Sequence, residues 1–445
     1  MVNQAWKKGR ILLTSMIGVL ALTMLTLWGC GGGGGSSYDN PASSAVTTKT
    51  ATALIQAAEL KQWVDAGLVN KAGGYDRVVI MDVSSAPNYS TAHIRGAQNV
   101  SLNDELVQTR VEGPMSTGQL VLDGAKMDAL IKKLGIDANT TIVFTSSEAE
   151  VGSPWNLTRG YATFRYWGFP KNRLKVLDGG NKAWKVAGYA LTTEIPSITP
   201  STYVVTPNNI NRVRTDLRAS LTDMIAAVQA GSVKAGTGTN DFIDGRATDP
   251  TVPGPTTDLI DGTKYVVFEG LLKGGRAYSY TNLIDSTTKQ FKSIADIKAG
   301  LNIPATATTV YTLCRAGNIA SALFFAIDGY AYYNEVESGA IKAVWYDGSW
   351  GQWGLMSAST ANGGKLAAGS VWDTSLLTDS LTYNVGKTVS GTTLTISNII
   401  SYGSRLASPE PSIAAGNQLE EADAAYLSPV TTTSGGGSTG GGGGC

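Results

Sequence analysis

Val310-Tyr311-Thr312-Leu313-Cys314-Arg315-Ala316-Gly317-Asn318-Ile319-Ala320-Ser321 reads as the end of an apolar strand, a tight loop and the start of a helix. β-branched and aromatic residues carry the first part, Gly317 punctuates it, and small and apolar residues follow. A loop that curls in this way surrounds the side chain that opens it with backbone N–H groups. Here that side chain is a thiol. Thiolate is the reactive form of cysteine, and its pKa falls at a helix N-terminus where amides converge. Gly317 permits the unusual backbone angles such a curl needs, and the result is a nest of donors for an anion. Arg315 adds a permanent cation whose fork of donors suits an oxyanion.

Working outward, the same alternation of strand and helix signals recurs. Asp241-Phe242-Ile243 leads to Asp244, and Ala343-Val344-Trp345-Tyr346 leads to Asp347-Gly348-Ser349. Earlier in the chain Val78-Val79-Ile80-Met81 ends at Asp82, and Ile142-Val143-Phe144 ends at Thr145. Leu174 to Leu177 then leads into Asp178-Gly179-Gly180. Short, fully apolar runs of this kind suit strands buried on both faces of a parallel sheet. From Thr145 to Asp178 is 33 positions, as it is from Cys314 to Asp347, and Trp184 and Trp353 each lie six further on. An internal duplication explains that spacing. The fold class expected is α/β, with two open parallel-sheet domains in tandem. In this alignment Thr145 holds the position of Cys314 and is followed by Ser146-Ser147-Glu148, so the first copy lacks the nucleophile.

The boundaries expected are 53–195 for the first domain, 196–214 for a Pro-containing linker and 215–356 for the second. Residues 357–433 form an extension, irregular apart from a β-hairpin from Leu381–Val385 and Thr392–Ile400. Residues 434–445 form a Gly-rich tail ending in Cys445. Cysteine supply is the sharpest limit on chemistry: the 445 residues contain only Cys30, Cys314 and Cys445, and His93 is the sole histidine. That excludes a disulfide framework, and a zinc or haem site with the usual ligands, so neither metal nor cofactor is expected. His93 is expected to hold a turn by a hydrogen bond.

Lys7, Lys8 and Arg10 precede an uncharged, mostly apolar run, Ile11 to Leu27, followed by Gly29-Cys30. This order describes a secretory signal over residues 1–29. Leu27-Trp28-Gly29-Cys30 resembles the bacterial lipobox, and the resemblance implies that Cys30 becomes an acylated N-terminus. Residues 30–52, opening with Gly31 to Gly35, then form a flexible tether. The alternative is an uncleaved membrane anchor. By the same resemblance, Gly31 rather than Asp after the cysteine favours the outer over the inner membrane. Removal of residues 1–29 leaves 32 basic against 35 acidic residues, no platform for nucleic-acid binding.

Cys314-Arg315-Ala316-Gly317-Asn318-Ile319 resembles the Cys-Arg-x-Gly-x-Thr loop of the rhodanese family, the thiosulfate and mercaptopyruvate sulfurtransferases. Ala92-His93-Ile94-Arg95-Gly96-Ala97, Asp244-Gly245-Arg246 and Tyr346-Asp347-Gly348-Ser349-Trp350 are similar to further marks of that family. The resemblance covers roughly Ala53 to Gly354. It implies an inert first domain and an active second one, with Cys314 as a persulfide carrier and Arg315 to Ala320 as the anion cradle. Asp244 and Arg246 match the family's acid and base, or form a structural salt bridge. The partners implied are an anionic sulfur donor such as thiosulfate, or its selenium or tellurium counterpart, and a thiol or cyanide acceptor. Ile319 departs from the family's Thr, and Leu271 replaces a turn His in the second copy. Cys445 is either a resolving thiol for Cys314 or an exposed tail thiol. The rival from another class is a non-catalytic binding or assembly lipoprotein of an outer-membrane complex, such as an electron-transfer conduit.

Overall fold

The computed structural model describes residues 45–112, 115–205, 213–247, 271–357 and 416–428, with the short strand pairs 259–260/263–264 and 388–389/392–393. The expected signal segment, the Gly tract, Cys30, the tail with Cys445 and most of the extension lie outside these residues. The first half runs β1 (Leu54–Ile55), α1 (Ala57–Asp65), β2 (Arg77–Asp82), α2 (Ala86–Thr91), β3 (Gln98–Asn99), β4 (Gln108–Glu112) and β5 (Met115–Leu120). It continues with α3 (Gly124–Leu134), β6 (Thr140–Thr145), α4 (Trp155–Tyr166), β7 (Leu174–Leu177) and α5 (Gly180–Val186). The second half runs α6 (Leu221–Gln229), β8 (Asn240–Asp244), β9 (Leu259–Ile260), β10 (Thr263–Lys264), β11 (Arg276–Ala277) and α7 (Ile294–Leu301). It ends with β12 (Thr309–Leu313), α8 (Asn318–Phe325), α9 (Tyr333–Glu337), β13 (Lys342–Trp345) and α10 (Ser349–Ser357). Beyond them lie β14 (Thr388–Val389), β15 (Thr392–Thr393) and α11 (Gln418–Leu427).

Two parallel sheets result, ordered β1-β7-β6-β2-β3 and β11-β8-β12-β13. Their central strands are buried on both faces, as their unbroken apolar runs require. The first strand of the second copy is reduced to a parallel bridge between Arg218 and Trp345, where β1 lies beside β7 in the first. Helix ends follow their local chemistry. Ser220 and Asp223 form a capping box on α6, and Gly135 at φ +66 closes α3 in the left-handed conformation.

The two halves share one apolar core, in which α4 and α8 pack on each other. Tyr161 meets Phe325 edge-on at 5.0 Å, and Thr158 and Ser321 exchange a 2.9 Å hydroxyl hydrogen bond. Arg165 and Tyr161 both hydrogen-bond Asp328, at 3.0 and 2.6 Å. A buried ion pair so satisfied joins the halves as one unit.

Three expectations are corrected here. The ladder pairs Thr145 with Asp82 and Leu313 with Asp244. The Asn181 amide donates to the Ser146 carbonyl, just as that of Trp350 does to Cys314. Ser146, not Thr145, is therefore the counterpart of Cys314. The gapless alignment hid a one-residue shift between the strand and the Asp-Gly turn. The extension is not irregular throughout: α11 buries Leu419 and Leu427 against the core. Of the expected hairpin, residues 381–385 lie outside the described residues, and Thr392–Thr393 pairs with Thr388–Val389. An antiparallel hairpin, β4–β5, stands in the first half where no strand was expected.

Candidate active site

β12 delivers Cys314 to the point where the chain turns into α8 after only three more residues. Gly317 is the N-cap of α8 at φ +82, and its amide donates to the Cys314 sulfur at 3.2 Å. The amides of Ala316 and Ala320 also bear on the sulfur, and the Ser349 hydroxyl lies 3.9 Å from it. Burial is the main influence and pushes the Cys314 thiol up, the Asp244 charge adding to it. The loop amides and Ser349 pull the other way. The sulfur is aimed at by main-chain donors, as the loop predicts, yet the residue is only 1% exposed.

The Tyr346-Asp347-Gly348-Ser349-Trp350 segment wraps this cradle. The Cys314 amide donates to Ser349 Oγ at 3.1 Å, and the amides of Trp350 and Gly351 donate to the Cys314 and Arg315 carbonyls. Trp345 Nε1 donates to the Gly317 carbonyl at 3.0 Å. Of the residues picked out in sequence, Arg315 and Ala316 are half-buried on the outer rim, and Ala320 is buried beneath. Ile319 is half-buried and faces Gly245, where even an added β-carbon would come within 3.1 Å of its methyl. Arg246 forks onto Asp244 at 2.7–3.1 Å and lies over Trp350 at 5.2 Å, both ion-pair partners being buried. Asn318 is turned toward the first half: its Nδ2 donates to Gln119 Oε1 at 2.9 Å, and its Oδ1 accepts from Arg159 at 3.2 Å.

Arg159 and Gln119 are functional-site residues that the sequence reading missed. Arg159 sits on α4, a helix whose residues are almost all buried, and is itself fully buried. Its Nη2 donates to the Gln119 carbonyl at 2.8 Å, and its guanidinium covers the Trp345 ring at 4.5 Å. Burial lowers its pKa to about 10. A signal existed: an arginine inside an apolar helix demands a buried partner. Behind Asp347 lies a second cluster. Arg218 meets Asp347, Glu112 and Glu420 at 2.9, 3.0 and 3.1 Å, so the second half, the hairpin and α11 converge on one guanidinium.

The first half builds no such cradle. Eight residues, 147–154, separate Ser146 from α4, against three between Cys314 and α8. Glu148 pairs with Lys185, and Glu150 accepts from the Ser85 amide and from Asn88. His93 holds its turn, with Nδ1 and Nε2 at 2.8 and 3.0 Å from the Tyr89 and Glu194 carbonyls. Among the described residues Cys314 is the only free cysteine, and no cluster could hold a metal ion.

A profile for the rhodanese-like domain matches residues 56–187, the half without the thiol. The sulfur carrier protein TtuD of Thermus thermophilus is 25% identical over 286 residues, covering 62% of this chain and 87% of that protein. A thiosulfate sulfurtransferase of Corynebacterium glutamicum is 25% identical over 283 residues, 60% of this chain and 79% of that one. Both spans are too long for one half alone.

Proposed function

Because the chain belongs to the rhodanese-like family of sulfurtransferases, we propose that it moves sulfane sulfur through a persulfide on Cys314. The observation that carries this reading is the Gly317 amide donating to the sulfur at 3.2 Å from a loop of the right length to hold an anion. The Cys314 thiolate attacks the outer sulfur of thiosulfate. A new S–S bond forms, the donor's S–S bond breaks, and sulfite leaves with the bonding pair. Attack on the persulfide by cyanide or a thiol regenerates the thiolate. Arg315, half-buried on the rim, favours an anionic donor. A soft thiolate serves a selenium or tellurium donor by the same chemistry. The 1% exposure of Cys314 means that donor entry requires the rim to open.

A thiosulfate:cyanide assay tests the reading. The wild-type chain should turn over and Cys314→Ser should lose at least about a thousandfold, the loss expected when a covalent nucleophile is removed. Equal activity in the two proteins sinks the carrier role. The same low exposure favours a second reading, a non-catalytic binding or assembly protein of an envelope complex. An inactive but folded wild-type chain supports it.

The basic-apolar-Cys30 order supports an acylated Cys30, and Gly31 after it supports the outer over the inner membrane. Labelling with a clickable fatty acid should mark the wild-type chain and not Cys30→Ala. Equal labelling removes this part of the proposal.

A further inference from the structure

Arg159 comes from the half that has no thiol, yet its side chain meets the first residue of α8, the Trp345 ring of β13 and the β4–β5 hairpin. None of them is a carboxylate. Nη1 meets the neutral amide oxygen of Asn318, Nη2 meets the Gln119 carbonyl, and Nε has no partner at all. Arg165, Arg218 and Arg246, all buried as well, each have a carboxylate in direct contact. A buried full charge with only neutral partners is costly unless an anion answers it.

Two acidic groups bear on it, Asp347 first and the Cys314 thiol second. Asp347 is already engaged, with Oδ1 on Arg218 Nε at 2.9 Å and Oδ2 on the Val121 amide at 2.8 Å. The sulfur's own stabilising neighbours are neutral donors, the Ala316 and Ala320 amides and the Ser349 hydroxyl. The guanidinium is also fixed to the cradle itself: Asn318 is the first residue of α8, and the Trp345 ring beneath Arg159 holds the Gly317 carbonyl.

We propose that Arg159 is the counter-ion of Cys314 in its anionic forms, a positioning residue that the thiol-free half lends to the reacting half. The inference deepens the reading of Cys314 as a sulfur carrier and rests on it. The other charged groups around the cradle are Asp244, whose charge bears on the sulfur and which pairs with Arg246, Arg315 next to Cys314 in the chain, and Asp347 after β13. Behind Asp347 stand Arg218, Glu112 and Glu420. Asp244 acts against ionisation, and a nearby cation offsets it.

The test is the pH dependence of Cys314 alkylation by iodoacetamide in the full chain, followed on the Cys314 peptide by mass spectrometry. Arg159→Gln should move the midpoint up by about one pH unit, a tenfold loss of thiolate at fixed pH. Arg159→Lys, which keeps the charge, should stay close to wild type. A folded Arg159→Gln protein with the wild-type midpoint overturns the proposal. Should that variant not fold, Cys314→Asp and Cys314→Asn decide instead. With a cation waiting, the charged protein melts at or above its neutral isostere. Asp melting well below Asn refutes the idea. Failure of the carrier reading shows separately, as turnover that does not depend on Cys314.

Discussion

Replacing Gly317 with alanine puts a methyl group where the chain has no room for one. The residue sits at φ +82, and a β-carbon there would lie 2.5 Å from the Asp347 carbonyl oxygen and 2.8 Å from its α-carbon. Neither atom can swing aside, because both are backbone and the neighbouring Asp347 carboxylate is tied to Arg218 and Val121. The left-handed conformation costs a non-glycine residue about 1–2 kcal/mol. Relief of the overlap costs roughly a further 1–3 kcal/mol. A loss of about 3 kcal/mol follows, read as a lower urea midpoint at unchanged slope. The displaced loop also takes the Gly317 amide away from the sulfur. Losing one pre-aimed donor of this kind lowers turnover about a hundredfold or more. Urea unfolding and the alkylation rate of Cys314 are the paired assays. A Gly317→Ala protein with wild-type stability and a wild-type alkylation rate would show that the loop does not hold the sulfur as described.

Two other outcomes are expected. Glu420 has its pKa pushed up to about 8, chiefly by burial, above its ordinary value of 4.5. Its contribution to docking α11 is complete below pH 4.5 and is lost as pH climbs through 8. Hydrogen-exchange protection in residues 418–427, taken relative to the intrinsic rate at each pH, should therefore fall between about pH 5 and 8 and level off above it, and Glu420→Gln should flatten that fall. Ser146→Cys places a thiol at the true counterpart of Cys314, but on an eight-residue loop rather than a three-residue one. It should gain no sulfane sulfur when treated with donor, and cyanolysis showing a second labile sulfur per chain would contradict the account.

The α/β class, the parallel sheets and the duplication were legible because buried parallel strands announce themselves as unbroken apolar runs. Cys314, Gly317 and the wrapping Tyr346–Trp350 segment were legible because the cradle is local, built from residues adjacent in the chain or marked by a motif. Arg159 and Gln119 were not. Their role arises from the packing of α4 and the β4–β5 hairpin against α8, a long-range contact with no period in the sequence. α11 escaped for a different reason. Glu420 and Asp423 occupy buried positions on it, paired with Arg218 and Arg110, so its inward face carries charge and no amphipathic stripe appears. The shift from Thr145 to Ser146 shows the limit of counting: equal spacings survived although the ladder had slipped by one.

The acids that α11 supplies have a consequence for the order in which the molecule matures. Arg110 and Arg218 lie more than 200 positions upstream of Asp423 and Glu420, so a ribosome exposes both arginines long before α11 exists. Until residue 423 has been synthesised Arg110 lacks its carboxylate partner, whereas Arg218 already has Glu112 and Asp347. The docking of α11 on Arg110 is thus deferred to the end of translation, and a chain interrupted after residue 357 would leave that guanidinium without its carboxylate.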